Sequence, residues 1–341
     1  MEYMKNDNLL SKYHDAIFGF AILYIMFFHA SAIDRVDYSF GRSSLRHFCT
    51  VMSSGGVGVD VFLFLSGIFL YYSYKKNSLG VFTKRRLVRL YIPLFLIDGT
   101  YWLVYILLMR KDLPGFLIRL SGLKFYVDGD QTVWYVSFIL LCYFMYPFIH
   151  EYIYADGVNT ARRTFLLMAG AWLMGWLATL YNYDLYKMLG IAYTRIPVFV
   201  LGCGMGRAVC ENRQFKIWKW VPFAVLFMFY SVLHFDLLHG CFLRYFYLVG
   251  GVSLTYSLAV TFGFLDKIRK GNSYIIKFFS FFGKISLELY MSHIAVNQCF
   301  RRTTFYAEGN FVQYVAFVFP LAILAAWLAS KANRSISQKL L

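Results

Sequence analysis

Apolar runs of about twenty residues recur along the chain, separated by short segments that collect the charged residues. Ten can be read, at about 16–33, 53–73, 90–109, 131–150, 164–183, 188–206, 220–236, 244–265, 277–300 and 310–330. A helix rises about 1.5 Å per residue and the hydrocarbon core is about 30 Å thick, so runs of this length predict transmembrane helices. The sixth is interrupted by Arg195 and Pro197, and the ninth carries Lys284, Glu288 and His293. No internal repeat, low-complexity linker or shift in composition marks a second domain, and the longest loop, about 110–130, is too short to fold alone. The expectation is an all-α membrane protein: a polytopic bundle of about ten transmembrane helices, both termini cytoplasmic, forming one domain over 1–341.

Composition agrees. Hydrophobic residues make up 59% of the 341 positions and charged residues 15%, where a soluble domain has about 25% charged. Asp15 precedes an apolar stretch too long for a signal-peptide core, and no small-residue cleavage site follows it, so a multi-pass membrane protein is expected rather than a secreted one. With the N-terminus inside, 22 of the 34 Lys and Arg residues fall on the cytoplasmic side, as the positive-inside rule requires. That asymmetry accounts for the formal net charge of +16 without a nucleic-acid partner, so none is expected. The partners expected instead include membrane lipid.

Other common chemistries lack their residues. The six cysteines form no CxxC pair and no Cys/His cluster at zinc spacing, so no metal site is expected. Gly55-Gly56-Val57-Gly58 lacks the lysine of a phosphate-binding loop and opens a membrane helix.

Ionisable groups are expensive inside a bilayer, so each is a candidate for function. They are His29, Asp60, Asp98, Arg195, Glu288 and His293. Counting helical rise from the cytoplasmic boundary places His29, Asp60 and His293 at roughly 20–22 Å, Arg195 near ~17 Å and Glu288 near ~15 Å. A single such group is as readily a structural hydrogen-bonder between helices. Agreement in depth across four helices favours a polar cavity in the outer half of the membrane. At the cytoplasmic mouth of the third span, Arg86 and Arg89 share a helix face and suit a phosphate-bearing ligand. From spacing alone, ordinary topogenic charge facing anionic lipid is the favoured reading.

Five blocks in order resemble the acyltransferase-3 family of integral membrane acyltransferases, which modify surface polysaccharides, peptidoglycan and other extracytoplasmic acceptors. His14-Asp15-Ala16-Ile17-Phe18-Gly19, running on to His29, resembles the family's first helix with its terminal histidine. Gly56-Val57-Gly58-Val59-Asp60 through Leu65-Ser66-Gly67 is similar to its GVD…LSG block, and Arg86-Leu87-Val88-Arg89 with Pro93 to its RxxR…P element. Arg195-Ile196-Pro197-Val198-Phe199 through Gly202 and Ser286-Leu287-Glu288-Leu289-Tyr290 through His293 resemble two later segments.

The chain departs from that pattern in two places. The basic residue common eleven positions before the histidine is here Phe18, leaving its role missing or supplied by Lys12 or Lys84. A tryptophan–serine–leucine segment is reduced to Trp134-Tyr135-Val136-Ser137. The sequence ends soon after the last span, so the SGNH-type hydrolase domain fused to some members is not expected.

The resemblance implies an O-acyltransferase, acetyl being the first choice and succinyl the alternative, with acyl-coenzyme A as donor substrate, no permanently bound cofactor, and a cell-surface or lipid-linked carbohydrate as acceptor. His29 would be the base, with Asp60 or Glu288 orienting its ring and His293 in the same catalytic layer. Arg86 and Arg89 would hold the donor phosphates, and Arg195 and Trp134 would contact substrate. Two other readings stand beside it: a transporter or flippase for a sugar or lipid-linked glycan, with the polar layer as its translocation site, and a scaffold without activity, which Phe18 keeps open.

Overall fold

The computed structural model describes residues 8–33, 43–132, 134–213, 241–302 and 311–341, and among them every regular element is a helix. Eight helical stretches are long and apolar enough to cross a membrane: His14–Ser31, Phe48–Lys76, Leu79–Met109, Trp134–Tyr154, Thr160–Tyr181, Tyr183–Cys210, Tyr247–Ile268 and Phe311–Leu340. These match eight of the ten expected spans. The run at 220–236 lies outside the described residues.

The run at 277–300 is two helices, Tyr274–Lys284 and Ser286–Phe300, of 11 and 15 residues, meeting at Ile285. The sixth span, Tyr183–Cys210, is divided in the same proportions at Thr194 and Arg195. The break in the 277–300 run follows Gly283, whose Cα lies so near the Asp15 backbone that a Cβ would sit 1.8 Å from the Asp15 carbonyl oxygen. The chain turns there and directs its second half toward His29.

The longer helices are numbered α1 (His14–Ile33), α2 (Gly58–Lys76), α3 (Leu79–Pro93), α4 (Trp134–Tyr154), α5 (Thr160–Tyr181), α6 (Tyr183–Tyr193), α7 (Ile196–Cys210), α8 (Cys241–Ile268), α9 (Tyr274–Lys284), α10 (Ser286–Phe300) and α11 (Phe319–Leu340). Beyond Pro93 the third span continues to Met109 through two π-helical stretches, Leu94–Gly99 and Leu103–Met109. Such i→i+5 turns are rare and collect near functional sites. The segment after it forms two short helices, Leu113–Leu120 and Lys124–Asp128. The first is capped by the Asp112 carboxylate on the Gly115 amide, and the second ends at Gly129 with φ 74°. The interruption expected in the sixth span falls between α6 and α7, where Arg195 is the cap residue and Pro197 opens the next helix. Pro is tolerated there because the first amides of a helix have no intrahelical acceptor.

Two glycine seams set the core. At Gly67 of α2 a Cβ would lie 2.5 Å from the Phe199 carbonyl oxygen, and at Gly202 of α7 it would lie 2.2 Å from that of Phe64. At Gly19 of α1 a Cβ would lie 1.8 Å from the Phe279 carbonyl oxygen of α9. Small residues allow such backbone approach between membrane helices, where lipid supplies no hydrophobic drive for association. Ser292 of α10 adds a cross-helix bond to the Ala322 carbonyl of α11 at 2.9 Å. α5 stands at the edge, with Phe165, Leu166 and Met174 exposed as a lipid-facing helix requires.

Gly67→Val should therefore lower the thermal unfolding midpoint of the detergent-solubilised protein, overpacking of this kind costing about 1–3 kcal/mol. Gly170→Ala, with open space around the new methyl, should leave it unchanged or slightly raised. Intrinsic fluorescence during heating reads both, and an unchanged midpoint for Gly67→Val would contradict the seam.

Candidate active site

The α2–α7 seam carries the first pair of site residues. Asp60 lies in the first turn of α2, and Arg195 immediately precedes α7. Nε of Arg195 donates to Oδ2 of Asp60 at 3.2 Å, with both side chains almost wholly buried. Two further contacts fix the guanidinium. Its Nη1 donates to the Ile191 carbonyl at 2.6 Å, and its plane lies 5.2 Å from the Trp134 ring centroid. The arginine is thus matched in charge, hydrogen-bonded and stacked, as burial of a cation requires.

The α1–α9 seam carries the second pair. His29, near the end of α1, faces His293 of α10 with ring centroids 5.2 Å apart. Nδ1 of His293 donates to the Leu289 carbonyl at 2.9 Å; a carbonyl can only accept, which assigns the proton to Nδ1. Nε2 is then an acceptor, buried without a hydrogen-bond partner among the described residues. His29 is half-buried, while His293 is enclosed.

These groups meet around one cavity of about 410 Å³, lined by His29, Arg195, Trp134, Tyr247, Tyr290 and Thr132 among others. His29, Arg195 and Trp134 of the expected set reach it directly. His293 stands behind His29, and Asp60 stands behind Arg195. The structure gives neither expected orienting partner to His29. Asp60 bonds Arg195, and Oε1 of Glu288 accepts from Asn333 of α11 at 2.8 Å. Asp98 is fully buried on the third span, and neither of its carboxylate oxygens has a hydrogen-bond partner among the described residues.

A narrower cleft of about 50 Å³ lies toward the other end of the bundle, between Phe18, Phe62, Arg89, Tyr135 and Tyr143. It shares Ile25, Val59 and Tyr290 with the His29 cavity, so the two are neighbours along one line. Arg89 is exposed at this cleft. Arg86 instead packs under aromatic rings, 5.6 Å from the Phe82 centroid and 5.7 Å from that of Tyr143. Phe18 stacks on Phe62 at 5.1 Å. Of the cations considered for its missing charge, Lys12 is paired with Asp266 at 2.8 Å and Lys84 is exposed, whereas Arg89 lines the same cleft as Phe18.

Sequence reasoning gave no role to Tyr290, which joins the two spaces; it stood in plain view between Glu288 and His293. It also passed over Tyr247 and Thr132, which carry no charge and leave no signal in a hydropathy pattern.

A family model described as an acyltransferase domain matches residues 12–331, nearly the whole chain. The chain belongs to the acyltransferase-3 family. It is a multi-pass membrane acyltransferase, and the transporter reading yields to that assignment. No curated protein and no solved structure matches it. The seams and the polar cavity of this acyltransferase therefore rest on its own residues.

Breaking the buried pair from one side should cost more than removing it. Asp60→Asn or Arg195→Gln alone leaves an unmatched buried group and should destabilise the acyltransferase by about 3–5 kcal/mol. The double variant should recover part of that in thermal unfolding. Additive losses would show that the two side chains do not interact.

Proposed function

We propose that this acyltransferase moves an acyl group, acetyl in the first instance, from cytoplasmic acyl-coenzyme A to a hydroxyl of a cell-surface or lipid-linked carbohydrate. Its setting in this reading is a bacterial cytoplasmic membrane with the Arg89 end inside. The observation that carries it is the alignment of two spaces: a cleft beginning at Arg89 and a cavity containing His29 and Arg195, with Ile25, Val59 and Tyr290 common to both. A phosphate-bearing donor matches the arginine end. Its acyl-bearing arm would have to part the stacked Phe18 and Phe62 rings to reach His29, so the narrow cleft acts as a gate.

The chemistry follows from the groups in the cavity. His29 takes the proton of the acceptor hydroxyl as its oxygen attacks the thioester carbonyl. Negative charge developing on the carbonyl oxygen is stabilised by the fixed guanidinium of Arg195, whose orientation is set before the reaction by Asp60, Ile191 and Trp134. The C–O bond forms, the C–S bond breaks, and the departing thiolate recovers the proton from His29. His293 is a positioning residue that packs against the His29 ring. Glu288, bonded to Asn333, ties α10 to α11.

Mass spectrometry of surface glycans from cells with and without the gene should show one O-acyl group lost. His29→Gln keeps bulk and hydrogen bonding without a basic nitrogen and should reproduce that loss, general-base removal costing about 10²–10⁴-fold. Replacing Arg86 and Arg89 with Gln should raise the apparent KM for acyl-coenzyme A, and Arg85→Gln should do much less. Near-native transfer by His29→Gln would contradict its role as base.

A further inference from the structure

The acceptor side of the cavity has structure of its own. Thr132 lines both the His29 cavity and a second one of about 460 Å³, and Gln298 donates to its hydroxyl at 3.4 Å. The second cavity's lining residues on the third span run from Tyr101 to Arg110, which puts it roughly 18–30 Å along that helix from Arg89. Five cations line it: Arg110, Arg119, Lys124, Arg301 and Arg302.

Two of them are neutralised locally. Arg119 pairs with Asp130 at 2.5 Å, and Lys124 pairs with Asp128. Burial would raise the Asp130 carboxyl, but its hydrogen bonds from Thr132 and the nearby Arg119 hold it below its ordinary value, so that pair persists as an ion pair. Asp112 also lines the cavity, with its carboxylate on the Gly115 amide. Among the described residues, Arg110, Arg301 and Arg302 have no carboxylate within ion-pair distance. Arg302 is nevertheless held in place. Its Nε donates to the Tyr101 hydroxyl at 3.1 Å, and its guanidinium lies 3.3 Å from the Tyr105 ring centroid. A positioned guanidinium with no carboxylate partner is suited to phosphate.

The same three residues, Tyr101, Tyr105 and Arg302, also line a third space. It is a groove of about 750 Å³ between the third span, α10 and α11. Its walls include Val104, Val296, Ala325 and Leu328, and Val104 and Leu328 are about half exposed, so the groove opens on the lipid-facing surface. Apolar groove, basic cavity and His29 cavity therefore stand in series, with Arg302 at the first junction and Thr132 at the second.

We infer that the acceptor is a lipid diphosphate-linked saccharide, its hydrocarbon chain in the groove, its phosphates against Arg110, Arg301 and Arg302, and its sugar passing Thr132 toward His29. This rests on the acyltransferase reading and names the acceptor class for it. Three arginines that no described carboxylate pairs with complement a diphosphate better than the single negative charge of a common phospholipid headgroup. A free polysaccharide has no hydrocarbon chain to place in the groove.

The test measures binding alone, without acyl transfer, on the full-length protein in neutral detergent. Geranylgeranyl diphosphate, which carries chain and diphosphate but no sugar, should bind at least ten-fold more tightly than inorganic diphosphate or geranylgeraniol. Arg301→Gln with Arg302→Gln should weaken it at least ten-fold. Ala325→Trp, which fills the groove, should weaken the lipid diphosphate and leave inorganic diphosphate unaffected; if that variant does not assemble, Val104→Trp on the facing, exposed wall reads the same groove. His29→Gln should bind the probe normally, so a failure of the catalytic reading and a failure of this one give different results. Phosphatidylglycerol binding as tightly, with the same sensitivity to the two arginines, would overturn the proposal in favour of an ordinary phospholipid site. Binding of the diphosphate probe indifferent to both the arginines and the groove would overturn it outright.

Discussion

A guanidinium held among membrane helices must be matched, and the pairing of Arg195 with Asp60 is the match on which the rest of this architecture depends. The pair joins the start of α2 to the break between α6 and α7. The break supplies the Ile191 carbonyl, and Pro197 begins the following helix without wasting an amide. Gly67 and Gly202 bring those helices near enough for a 3.2 Å contact, while on the other side of Asp60 the backbone of Gly251 in α8 approaches so closely that a Cβ would lie 2.6 Å from the Asp60 Cβ. The arginine held this way projects over Trp134 and presents fixed positive charge to the cavity. Charge positioned in advance is what acyl transfer needs as the carbonyl oxygen gains electrons.

The histidine pair uses the same device with different chemistry. Gly19 and Gly283 close α1 on α9, and the turn at Ile285 then sends α10 past the end of α1, where His293 meets His29. Two glycine seams thus bring a cation and a base to one cavity, with Tyr290 standing where the cavity meets the cleft from Arg89.

The helical class and the polar layer were legible in the sequence for one reason. In a chain this apolar a buried charge is conspicuous, and constant rise per residue converts its position into depth. Azimuth was not legible. Each residue turns the helix by about 100°, so depth placed Asp60 level with His29, and only packing sent it to Arg195. Glu288 missed the cavity for the same reason. The turn at Ile285 was hidden because an apolar run reads alike whether its helix is straight or broken. The basic cavity did leave a signal. On the expected topology Arg110, Arg119, Lys124, Arg301 and Arg302 all belong to the side that the positive-inside rule makes poor in basic residues, so their gathering there is itself a signal.

The central claim is that donor and acceptor meet from opposite faces at His29. Sealed inside-out and right-side-out membrane vesicles from cells producing the protein, each given acyl-coenzyme A labelled in its acyl group, test this directly, since the charged donor does not cross a bilayer. The account predicts alkali-labile label on luminal acceptor in the inside-out vesicles, absent with His29→Gln, and none in the right-side-out ones. Equal incorporation from both orientations, or label confined to the face that received the donor, would contradict it.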